Sequence, residues 1–147
     1  MDEPKARLYR SRNYPVRAGM FEDVVGFLEE TLSEKHVPFP LQNQLSIILD
    51  ELVSNIVKYS GATSLDFGVA VDPDVIALRF IYDGDDFDVT KTPAPKLSGR
   101  AQERPIGGLG LMMVKKMSDR FVYECQREHN IVLVEKKFGP MPQKDNL

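Results

Sequence analysis

Residues 41–59 constrain the fold of this chain more than any other stretch. Leu41, Leu45, Ile48, Leu49, Leu52, Val53 and Ile56 recur at the spacing of one helix face, and a face that broad has to be buried. Gly61 then serves as a C-terminal cap. Immediately afterwards the period changes. Ser64 to Val71 and Val75 to Ile81 alternate as strands, joined by Asp72-Pro73-Asp74 as a tight hairpin connection. An apolar helix face beside a hairpin with an apolar face predicts helices laid on a sheet.

The remaining segments extend that pattern. Ala6 to Tyr14 places Leu8 and Tyr9 among Arg7, Arg10 and Arg12 and reads as a strand ending at Pro15. Met20, Val24, Phe27, Leu28 and Leu32 mark a helix over about 18–35, after which Pro38 and Pro40 punctuate the chain. Gly84 to Ile106 has no periodicity and reads as a lid-like functional loop. A third helix, over 108–117, carries Leu109, Leu111, Met112, Val114 and Met117. Strands at 121–126 and 131–137 flank a polar turn, Arg127 to Asn130. The order β-α-α-β-β-loop-α-β-β predicts an α/β two-layer sandwich with a mixed sheet and three helices on one face. One domain is expected over 6–138, with a disordered tail at 139–147. Cys125, in a predicted strand, reads as a core or half-buried residue.

Composition narrows the function classes. The chain has 147 residues, 42% hydrophobic and 28% charged, the balance of one globular domain. A formal net charge of −3 opposes general nucleic-acid binding. No apolar run is long enough for a bilayer. The acidic opening Met1-Asp2-Glu3-Pro4 predicts no secretory leader, and the lone Cys125 fits a reducing cytoplasm. The single cysteine excludes an internal disulfide and a cysteine-built metal site.

Three elements carry chemistry. Glu51 and Asn55 lie about 40° apart on one helix face, with Lys58 a turn further on. An amide oxygen suits Mg²⁺, and a neighbouring carboxylate can accept a proton from an attacking hydroxyl. A solvated helix edge shows the same residues. Gly107-Gly108-Leu109-Gly110-Leu111 stands where the polar loop becomes a helix. Bare backbone and free amide N–H groups there favour a polyphosphate, although a glycine-rich loop end is the plainer reading. Tyr82-Asp83-Gly84-Asp85-Asp86-Phe87-Asp88 follows a strand; an acid at a strand end can hold an adenine amino group, and a solvated acidic turn is its alternative. The acidic run lacks the Gly and Glu positions of a Ca²⁺-binding loop.

Together, Glu51-x-x-x-Asn55, Asp83-Gly84 and Gly107-Gly108-Leu109-Gly110-Leu111 resemble the N, G1 and G2 boxes of GHKL-type ATP-binding domains, over about residues 6–138. The run from Glu103 to Asp119 is most similar to the anti-sigma-factor serine/threonine kinases. The resemblance implies ATP and Mg²⁺ as cofactors. It implies Glu51 as general base, Asn55 as the metal ligand, Asp83 and Gly84 beside the adenine, and the amides of Gly107, Gly108, Leu109, Gly110 and Leu111 around the phosphates. It further implies a sigma factor and an antagonist (anti-anti-sigma) protein as partners, and raises homodimerisation. The chain departs from the pattern at one place. Aligning Gly84, Phe87 and Asp88 puts Tyr82 at the adenine-recognising acid position, with Asp83 one residue out of register. In a strand such a shift reverses the side chain's face. A non-catalytic binding module is therefore the alternative function.

Overall fold

The computed structural model describes residues 7–91 and 107–138. In chain order the elements are β1 (Arg10–Pro15), α1 (Met20–Glu34), α2 (Phe39–Tyr59), β2 (Ser64–Val71), β3 (Val75–Tyr82), α3 (Gly107–Met117), β4 (Arg120–Gln126) and β5 (His129–Lys137). Most of the expected lid, 92–106, and the expected tail, 139–147, lie outside the described residues.

The strands form one five-stranded sheet in the order β1-β2-β3-β5-β4. Every ladder is antiparallel, so the sheet is not the mixed one that the element order suggested. The chain path explains the difference. The α1–α2 pair is a helical hairpin, so β2 returns antiparallel to β1. The crossover through α3 does set β4 parallel to β3, but β5 then inserts between them and pairs antiparallel with both.

Alternation decides which sheet face meets the helices. Leu65, Phe67 and Val69 of β2, Ile76, Leu78, Phe80 and Tyr82 of β3, and Val132 and Val134 of β5 are buried in one core. Against them lie Val24, Phe27, Leu28 and Leu32 of α1 and the predicted stripe of α2. Phe27 meets Phe67 edge-on at 6.1 Å. Leu111 and Val114 bury α3. No helix among the described residues is long and apolar enough to cross a membrane.

The element ends follow local chemistry. α2 begins at Phe39 rather than Leu41, with Pro40 inside its first turn, where a missing N–H breaks no helical bond. Gly61, φ +71°, follows the C-cap of α2 as expected. The β4–β5 turn is tighter than the sequence suggested. Arg127 and Glu128, both at positive φ, are its only central residues, and Asn130 belongs to the strand. Cys125 is exposed, not buried, because β4 is a sheet edge.

Candidate functional site

The middle of α2 supplies the first part of the site. Glu51 and Asn55 stand one turn apart, both half-buried. Asn55 Nδ2 donates to Glu51 Oε2 at 2.8 Å. An ionised carboxylate only accepts, so the amide must turn its NH₂ group inward. That leaves Asn55 Oδ1 directed away as an acceptor. α3 packs on α2 at this level, and Gly110 lies directly against the Glu51 carboxylate. A Cβ built on Gly110 would fall on Glu51 Oε1 and within 2.7 Å of Oε2. The glycine is what allows the helix backbone to reach the acid. α3 is already helical at Gly107, so the positive end of its dipole begins within one turn of Gly110. Leu111 is buried under α3 and serves packing. Lys58 does not join this group. It points toward α1, where it lines a separate groove.

The second part gathers at the C-terminal end of α2. Tyr82 closes β3 with 1% exposure, its ring inside the core, and its hydroxyl donates to the Phe87 carbonyl at 2.7 Å. Burial pushes the phenol's pKa well above its ordinary value. Asp83 faces away from that core. Its Oδ1 accepts from the backbone N–H groups of Thr63 (2.7 Å) and Ser64 (3.1 Å), and Oδ2 accepts from the Thr63 hydroxyl. The Thr63 hydroxyl, with those backbone amides, holds the Asp83 carboxyl below its ordinary value. The β3 ladder runs without a skipped residue to Tyr82, paired with Leu65 and Asn130, so no bulge brings Asp83 round to the inner face. Gly84, φ +90°, is pressed onto the end of α2: a Cβ there would fall on the Ser60 carbonyl and within 2.8 Å of Ala62 N.

Asn130 holds this end together, and the sequence reading missed it by placing it in a turn. Fully buried, it donates from Nδ2 to the carbonyls of Tyr82 (3.2 Å) and Asp85 (3.0 Å) and accepts at Oδ1 from Phe87 N (3.0 Å) and the Tyr123 hydroxyl. Its one local signal is its register: it precedes Val132 and Val134 on the inward face of β5. The loop after β3 is consequently fixed through its first residues. Phe87 stacks near Tyr59 at 5.8 Å, Val89 is buried, and Asp88 Oδ1 accepts from Thr90. The lid expected from Gly84 onward is thus a packed turn as far as Thr90.

A family model described as the histidine kinase-like ATPase domain matches residues 15–136. The chain belongs to that family. No curated protein matches it.

The two parts lie at two levels of α2. Ser60, the C-cap of α2, lies nine positions after Glu51, about 13 Å along the helix at 1.5 Å per residue. The end at Glu51 suits phosphates and a metal: a free amide oxygen, a carboxylate and a helix start converge there. The described residues contain no group of three or more His, Cys, Asp or Glu side chains able to cage a metal. The end at Tyr82 does not suit the usual reading of adenine by an acid. A buried phenol occupies the acid's position, and the neighbouring carboxylate is turned to Thr63 and Ser64.

Proposed function

We propose that this ATPase domain is an ATP- and Mg²⁺-dependent protein serine/threonine kinase of the anti-sigma type, which sequesters a sigma factor and phosphorylates a small antagonist protein. The observation that carries the reading is the convergence of Glu51, Asn55 and the Gly110 backbone. Glu51 accepts the proton of the attacking hydroxyl. Asn55, oriented by its bond to Glu51, presents Oδ1 to the metal. The first turn of α3 steadies the phosphates. Bound ATP with Mg²⁺ supplies the phosphoryl group and neutralises its charge. Transfer of this kind asks the protein mainly for positioning and electrostatic stabilisation.

The test has two steps. Calorimetry with ATP and Mg²⁺ is expected to show binding that Asn55→Ala abolishes. Transfer to the antagonist is expected to fall by about 10²–10⁴-fold in Glu51→Ala while nucleotide binding persists. Undiminished transfer in Glu51→Ala would sink the kinase reading. Tyr82 favours a second reading, a module that has kept the partner surface and lost the nucleotide. Absence of binding at millimolar ATP selects that one.

A further inference from the structure

A second concavity lies on the side of α2 away from Gly110. It has a volume of about 600 Å³ and runs between the β1–α1 junction and the C-terminal half of α2. Met20 and Val53 form its buried floor, and Phe21 and Val57 its walls, exposed by 37% and 41%. Gly19, at φ +89°, turns the chain into α1 without a side chain, which keeps this end of the groove open. Arg17 and Lys58 stand at its rim, and no acidic residue lines it.

The charges indicate what the groove takes. Arg17 and Lys58 belong to different elements, and neither has a carboxylate partner among the described residues. The other arginines near α1 are engaged: Arg10 pairs with Glu34 at 2.8 Å, and Arg12 lies over the Phe27 ring at 4.7 Å. Lys58 Nζ rests over the Tyr59 ring at 5.7 Å, a contact that leaves its charge unneutralised. An apolar trough with two separate cations that pair with no described carboxylate fits a ligand with apolar anchors and anions at two points. A single-headed amphiphile offers one anion only. We propose that this groove docks a segment of a partner protein in which large apolar residues are flanked on both sides by Asp or Glu. The apolar anchors give the affinity and the rim cations give the selection. The proposal needs no nucleotide.

The test is selection of a phage-displayed random peptide library on the purified full-length chain, with counter-selection on Val57→Asp. Enriched peptides are expected to carry Leu, Ile or Phe flanked by Asp or Glu. Their binding, read by fluorescence polarisation, is expected to weaken at least about tenfold in Val57→Asp, the loss of one anchor. Arg17→Glu is expected to weaken it several-fold, and binding of the unmutated chain to fade as salt rises. Both substituted residues are solvent-exposed, so melting curves of the variants should match that of the parent. ATP titrations of the same variants should be unchanged, which separates this proposal from the nucleotide reading. Basic or uncharged winners, binding indifferent to Val57→Asp, or no enrichment each overturn the proposal. Sodium laurate binding to the groove with no peptide enriched would overturn it in favour of a lipid site.

Discussion

The two ends of the candidate nucleotide site are both built around a glycine pressed against α2, yet the glycines face opposite kinds of neighbour. Gly110 meets the tip of the Glu51 side chain, whereas Gly84 meets the backbone of Ser60 to Ala62. Beside Gly110 a polar atom, Asn55 Oδ1, is left open among the described residues. Around Gly84 the polar atoms are answered internally, by Asn130, by Thr63 and Ser64, and by the Phe87 carbonyl. A site that leaves its polar groups open is arranged for a ligand. One that satisfies them is arranged for stability, and here the two kinds of construction share one helix.

Substitutions should separate the two kinds. Gly84→Ala is expected to have the largest effect on stability, about 3 kcal/mol or more by urea unfolding, because the added carbon meets backbone at a positive φ and nothing can yield. A loss below about 1 kcal/mol would mean that the loop can shift, and the contrast would collapse. Asn130→Ala should cost roughly 2–3 kcal/mol, since it strands the Phe87 amide, the Tyr123 hydroxyl and two carbonyls. Tyr82→Phe removes one buried bond and should cost about 1 kcal/mol. Gly110→Ala should change stability by no more than about 1 kcal/mol, because alanine favours the helix and the Glu51 tip can swing aside. It should nevertheless depress phosphoryl transfer by displacing that carboxylate, so parallel unfolding and activity assays expose the difference between the glycines.

The smallest effect is a pH dependence. Asp83 has a folded-state pKa below its ordinary 3.8, so its contribution is complete above that value and is lost as pH falls through the lowered one. Asp83→Asn should therefore lower stability modestly at neutral pH, where the ionised carboxylate contributes, and flatten the acid limb below about pH 4. Unfolding series at stepped pH would show it.

How much of this was written in the sequence depends on the range of the interaction. The α2 stripe was legible because helical periodicity is local, and so were the two hairpin strands, which alternation marks. The pairing of Glu51 with Asn55 followed from a four-residue spacing. Gly110 against Glu51 did not, since two helices remote in sequence create the contact. Asn130 was misassigned for the same reason: its partners lie more than forty residues earlier in β3 and the following loop. Cys125 was misjudged because alternation cannot say whether a strand is central or at an edge. The antiparallel sheet was missed because strand order is set by where β5 inserts, which no local pattern records.

That insertion also bears on how the chain is made. β5 is a central strand, yet a ribosome delivers it after every other described strand. From the time β3 emerges until residue 137 is added, the apolar edge of Val75–Tyr82 has no neighbour on that side. At roughly 5–20 residues per second this lasts for several seconds. β4 cannot shield it, because it touches the sheet only through β5. A nascent chain stalled anywhere between β3 and β5 thus presents an open strand edge, and is expected to need chaperone cover until the last strand closes the gap.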